Sequence, residues 1–223
     1  MVNRDMQGKS AKKYGSTDWT RSLLAAGIVA GPLFTIVGLA QAFTRPGFDI
    51  RRHALSVLEN GDLGWIQIGS FIVTGLLFLA CAFGMRRVLR GGPGGTWGPI
   101  LIGAFGAGNF GAGIFHADPV PGFPPGTPAS ASAISAQGLI HFTVASLGFL
   151  AVIAACFVFA CHFAAQKRRG WVVYSVITSV IFLLAFAAEA SGQLFLTPVF
   201  VFTALNAYIW VSAVALHLRK ALT

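Results

Sequence analysis

His116 and Asp118 stand two residues apart in the stretch FHADPVPGFPPGTP at 115–128, and His141 follows beyond a loop rich in small residues. Imidazole nitrogen and carboxylate oxygen are zinc donors, so His116, Asp118 and His141 form a candidate metal set, with His53 as a further imidazole. A zinc ion would lower the pKa of a bound water, and Glu59 or Glu189 would act as its general base. A metal-free route needs a hydroxyl nucleophile, a histidine and a carboxylate; Ser56 and Asp118 would supply the first and last. The candidate catalytic residues are therefore Ser56, Glu59, Asp118 and Glu189. The same groups also read as a binding site without chemistry, with Arg52, His53, Asp118, His141 and Glu189 as ligand-binding residues.

Which of these readings is physical depends on the solvent around each residue. Of the 223 residues, 55% are hydrophobic and 10% charged, against about 25% charged in soluble domains. Water cannot accommodate that much apolar surface, so the composition predicts an integral membrane protein. Apolar runs at 22–43, 65–85, 97–115, 137–165, 171–188 and 194–216 are close to the roughly 20 residues that cross a bilayer as a helix. The expected fold is an all-α integral membrane bundle of about six transmembrane helices. Residues 1–21 form a basic cytoplasmic tail, 22–217 the transmembrane domain and 218–223 a short second tail. The first run is too long for a cleaved signal peptide and reads as a retained span, kinked at Gly31-Pro32. The glycines and proline of RRVLRGGPGGTW separate the second and third spans.

The net charge of +9 does not point to nucleic acid. Thirteen of the 16 lysines and arginines sit in short clusters on one side of this topology, and only Arg45, Arg51 and Arg52 fall on the other. That is a topology signal. It places both termini in the cytoplasm and the protein in an inner or plasma membrane. Cys81, Cys156 and Cys161 all fall within spans, so they read as packing residues and not as a disulfide framework. His162 and His217 lie beside basic residues at the inner boundary, where snorkelling accounts for them.

The remaining polar groups collect at the outer ends of the spans. These are Gln41, Gln67, Asn109, the pair Gln137 and His141, and the pair Glu189 and Gln193. Polar groups in hydrocarbon face the bundle interior or a wet cavity, so the one-sided clustering predicts an outward-facing polar vestibule. The first outer loop, FDIRRHALSVLENG, plots as a short amphipathic helix. Ile50, Ala54, Val57 and Leu58 lie on one side and Arg52, His53, Ser56 and Glu59 on the other, with Asp49 as its cap. The proline-rich loop reads as a semi-rigid rim that positions His116 and Asp118. Pro46-Gly47-Phe48 recurs as Pro121-Gly122-Phe123, each copy just after a span. GAFGAGNFGAG places small residues on adjacent helical ridges at 103, 107, 111 and 104, 108, 112, a pattern for close helix packing.

These segments also carry a resemblance. RPGFDIRRHALSVLENGDLGWIQIGSFIVTGLL, FHADPVPGFPPGTP and GLIHFTVASLGFL are similar to the bacterial and archaeal membrane proteins of domain-of-unknown-function family 998. Gly47, Phe48, Asp49, His53, Leu55 and Ser56 resemble that family's first element, and Asp118-Pro119 and His141 the other two. The resemblance implies a single bundle of about six helices and no particular activity.

Three functions fit the residues. The first is an outward-facing site for a membrane lipid or amphiphile, where Arg45, Arg51 and Arg52 would meet an anionic head group. The second is a structural or accessory subunit whose small-residue ridges pack against a partner membrane protein or a second copy. The third is a zinc-dependent membrane hydrolase at the outer face. Solute transport would need polar groups through the whole depth, and the sequence concentrates them at one end.

Overall fold

The computed structural model describes residues 2–89, 94–130 and 133–222, with side chains from 17 onward except Leu194. The glycine-proline stretch at 90–93 and most side chains of the basic tail lie outside the described residues. Six helices account for most of the chain: α1 (Val2–Thr44), α2 (Gly64–Val88), α3 (Trp97–Ile114), α4 (Ala136–Ala165), α5 (Arg169–Ala190) and α6 (Thr197–Lys220). Short 3-10 helices cover Leu55–Glu59 and Leu194–Leu196. Among the described residues there is no strand, only an isolated bridge between Val120 and Phe123.

In hydrocarbon a backbone amide has no water to bond, so helices that satisfy their own amides are the form such apolar runs take. Five of the six are long and apolar enough to cross a membrane: the 17–44 part of α1, then α2, α4, α5 and α6. The sixth, α3, has 18 residues, and its glycines, Pro99 and Asn109 thin its apolar content. Large apolar side chains face outward along the bundle, among them Ile36, Phe83, Leu147 and Leu184. Exposed Trp19 and Trp97 mark one end and Trp65 and Phe195 the other, as interfacial aromatic belts do.

Each helix packs against its neighbours in sequence, and α1 packs against α6, closing a ring. The seams depend on glycines. A Cβ on Gly106 would lie 2.9 Å from Gly75 O on α2, and one on Gly108 would lie 2.7 Å from Val144 O on α4. Gly106 and Gly113 therefore meet α2, while Gly108 and Gly111 meet α4. Of the residues expected on the packing ridges, Gly108, Gly111 and Ala112 pack inward, whereas Ala104 and Ala107 are exposed.

Where α1 meets α6, Ser212 Oγ accepts from Gly31 N at 3.0 Å and donates to Gly27 O at 2.7 Å. These two backbone groups would pair with each other in an uninterrupted helix, so the hydroxyl carries the ladder past Pro32. α1 runs unbroken through that proline.

The two ends of the bundle differ. One end holds the connections α1–α2, α3–α4 and α5–α6 and is called the loop-rich end below. At the opposite, basic end the histidines are packed, not snorkelling. His162 is buried and bonds Gln166 Nε2 at 2.8 Å, and His217 lies 5.0 Å from the Trp171 ring and 5.4 Å from Phe163. Cys81 and Cys156 are buried as expected, whereas Cys161 faces outward.

A candidate site at the loop-rich end

The two Pro-Gly-Phe segments build the same turn. Phe48 N donates to Arg45 O at 3.3 Å and Phe123 N to Val120 O at 2.9 Å, with φ of +80° at Gly47 and +84° at Gly122. Proline followed by a residue with positive φ is the type II turn, which favours glycine at that position. The two turns touch: the Phe48 and Phe123 rings meet edge to face at 5.4 Å. His53 joins them. Its Nδ1 accepts from Asp49 N at 3.1 Å, and its Nε2 lies 3.3 Å from Pro121 O. A carbonyl only accepts, so Nε2 carries the proton and the ring is neutral. Burial accordingly holds the His53 pKa below its ordinary 6.5.

The segment between these turns and α2 is not the amphipathic helix that the sequence pattern suggests. Only Leu55–Glu59 is helical, in the 3-10 form, and Leu55, Val57, Leu58 and Glu59 are all buried. Arg45 anchors it, donating to Leu58 O at 3.2 Å and Asn60 O at 2.6 Å while its guanidinium lies 5.3 Å over the Phe123 ring. Asn60 Nδ2 adds bonds to Val57 O and Ala117 O. The whole segment is packed under the neighbouring loop, so Glu59 is buried along with Leu55, Val57 and Leu58.

There Glu59 Oε2 accepts from Ala117 N at 2.8 Å and stands 3.4 Å from His141 Nδ1, with both side chains almost fully buried. His141 Nδ1 also lies 2.8 Å from Phe115 O and 3.1 Å from Ala112 O. Nδ1 therefore carries the hydrogen, and Nε2 is a free acceptor that bonds no described residue. Burial raises the Glu59 pKa from 4.5 to about 8, and the Ala117 N–H works against that rise. At neutral pH Glu59 is therefore an uncharged acid beside the imidazole, as a low-dielectric site favours. Glu59 Oε1 is buried with no partner.

The other expected site residues are placed as follows. Asp118 Oδ2 accepts from Ser135 N at 2.8 Å, where Ser135 Oγ caps α4 through Gly138 N. A carboxylate here complements the helix dipole. It sits so close that a Cβ on Gly138 would collide with it. Asp118 thus clips the α3–α4 connection to the start of α4. His116 is exposed, and Arg52 is exposed with Asp49 at 3.6 Å. Among the described residues no three His, Cys, Asp or Glu side chains could hold a metal ion together, so His116, Asp118 and His141 do not assemble as a zinc set.

What does gather is a cavity of about 380 Å³ enclosed by α1, α2, the 3-10 helix, α4, α5 and α6. Its walls are Phe34, Phe71, Phe149, Phe186 and Phe200, and its polar groups are Ser56, His141, Ser146, Glu189 and Tyr208. Of the expected site residues, Ser56, His141 and Glu189 line it; Arg52, His53, Glu59, His116 and Asp118 do not. The lining residues Phe142 and Ala190 are exposed, so the cavity reaches the surface between the loop-rich ends of α4 and α5. Tyr208 stacks on Phe34 at 4.2 Å and donates to Asn109 Oδ1. The five phenylalanines were not legible as a set. They come from five helices, and only their meeting around a gap makes them a wall.

A further set of buried polar atoms lies on α1 and α2. Gln41 Nε2 donates to Gln67 Oε1 at 2.8 Å. Gln41 Oε1, Gln67 Nε2, Ser70 Oγ and Thr74 Oγ1 have no partner. Gln67, Ser70 and Thr74 are spaced three and four apart, on one face of α2.

Fold and site together define a multi-pass, membrane-type helical bundle with a buried acid–imidazole pair and an aromatic cavity. The chain belongs to the family described as Protein of unknown function (DUF998), which matches residues 28–217, the family its loop motifs resemble. No curated protein and no solved structure is similar to it.

Proposed function

We propose that the protein binds a single-chain amphiphile in this cavity, tail among the phenylalanines and head at Ser56, His141 and Glu189. The observation that carries this reading is the cavity itself. About 380 Å³ falls within the range of ligand pockets, roughly 300–1,000 Å³, and an apolar wall with a few polar groups is how such pockets are lined. The basic clusters support an orientation with the loop-rich end on the outer face of an inner or plasma membrane and both termini in the cytoplasm. The opening between α4 and α5 then faces the outer leaflet, which supplies amphiphiles from the side. Ala54, Leu55 and Ser56 cover the cavity from the loop end.

Neither alternative has comparable support. Zinc-dependent hydrolysis lacks an assembled donor set among the described residues. An accessory subunit would use outward small residues, and α3 turns most of its own toward α2 and α4.

Native mass spectrometry of the detergent-purified protein tests the proposal. A co-purifying amphiphile is expected in the wild type and absent from Ala204→Phe, which fills the cavity. A bare polypeptide from both, after incubation with lipid extract, would contradict it.

A further inference from the structure

Resting on that reading, we infer that the amphiphile taken by this cavity has a primary ammonium head, a long-chain amine, and not the anionic head that the outer arginines suggest. Glu189 is the one lining residue with a formal charge, and no lysine or arginine lines the cavity. The arginines nearby are committed or turned away. Arg45 is bonded to Leu58 O and Asn60 O, Arg52 faces Asp49, and Arg51 is exposed outside the lining. An anionic head would therefore meet a carboxylate with no cation to offset it. A cationic one meets charge complementarity.

The hydrogen-bond inventory points the same way. Thr197 Oγ1, fully buried, donates to Glu189 Oε2 at 3.0 Å and holds the carboxylate in place. Glu189 Oε1 bonds no described residue. His141 offers Nε2 as an acceptor, because its Nδ1 hydrogen is directed to Phe115 O. Ser56 Oγ is a third acceptor on the lining. An ammonium has three N–H donors and no acceptor, which matches this set, whereas a carboxylate or phosphate head has only acceptors. Aromatic rings around the head add cation–π attraction, and Phe142 and Phe186 both line the cavity with Glu189. The Glu59–His141 pair has a part in this chemistry. The Phe115 and Ala112 carbonyls hold the Nδ1 hydrogen beside Glu59, so in the neutral ring the lone pair is on Nε2.

The test is equilibrium binding of dodecylamine, dodecanol and dodecanoate, three heads on one chain, to the full-length protein in phosphatidylcholine nanodiscs, with empty nanodiscs as blank. Dodecylamine is expected to bind at least tenfold more tightly than the other two. Glu189→Gln, whose amide oxygen still accepts from Thr197, is expected to remove that preference while dodecanol binding stays, a loss of about tenfold for one charge-assisted bond. Two independent fillings, Ala204→Phe and Ala145→Phe, are expected to abolish binding of all three. If all three bind equally, or dodecanoate binds best, and both fillings remove them, the ammonium inference is overturned and the amphiphile reading stands. If no probe binds in a filling-sensitive way, both are overturned.

Discussion

His141 Nδ1 stands 3.4 Å from Glu59 Oε2, with both side chains almost fully buried. The acid arrives on a buried 3-10 helix in the first loop and the imidazole on the second turn of α4. Their meeting ties the loop-rich end to the transmembrane core and fixes which His141 nitrogen is free.

Titration of Glu59 should be visible in stability. Its pKa is raised from 4.5 to about 8 in the folded protein. The stability this group contributes is fully present below about 4.5, where folded and unfolded chains both hold the proton. Above that the unfolded chain releases it first, so stability falls as pH rises through about 8 and then levels off. Thermal unfolding in detergent between pH 5 and 9 should show this decline in the wild type and a flatter profile in Glu59→Gln. Equal slopes for the two would remove Glu59 as the cause.

The pair should also be energetically coupled. His141→Ala leaves the Phe115 and Ala112 carbonyls without their donor, at a cost of about 1–3 kcal/mol. Combined with Glu59→Gln, a double-mutant cycle should give a coupling of roughly 0.5–3 kcal/mol. Strict additivity would mean that the two side chains are neighbours without interaction.

Helix seams make a sharper contrast. Gly106→Val should disrupt the α2–α3 contact, because Gly75 O lies 2.9 Å from the new Cβ and both neighbours are backbone. Ala107→Val, on the exposed face next door, should leave stability within about 0.5 kcal/mol. Comparable losses at the two positions would contradict the seam described here.

The paired turns predict a fourth effect. Gly122→Ala strains a residue at φ +84° and should loosen the Phe48–Phe123 contact and the His53 bridge together. Hydrogen exchange at Arg52 and His53, whose amides bond Asp49 O, should rise with that at Phe123. Faster exchange confined to 120–126 would show the two loops to be independent.

The division between what was legible and what was not has physical causes. Long apolar runs carry their helices in composition alone, since hydrocarbon leaves the backbone no other partner; the third run is thin because its glycines serve packing. Clustering of polar groups at one end was also readable, as was the repeated Pro-Gly-Phe, because turn chemistry is local. The partners of those groups were not. His53 and Asp118 have the donor types of a metal site, yet each is used by backbone: His53 bridging two turns, Asp118 clipping the start of α4. Glu59 plots on a polar face of an α-helix, but only Leu55–Glu59 is helical and the segment is packed into the bundle with Glu59 buried. The Ala117 N–H that receives it stands in the α3–α4 connection, and a pairing that distant in the chain leaves no local pattern.

The central claim is occupancy of the cavity by an apolar chain, and photolabelling with an alkyl diazirine in nanodiscs tests it most directly. The account predicts that label concentrates on Phe149, Phe200 and Ala204, buried or half-buried lining residues from α4 and α6, and that Ala145→Phe suppresses it. Label confined to outward residues such as Ile36, Phe83 and Leu184, unchanged in that variant, would contradict it.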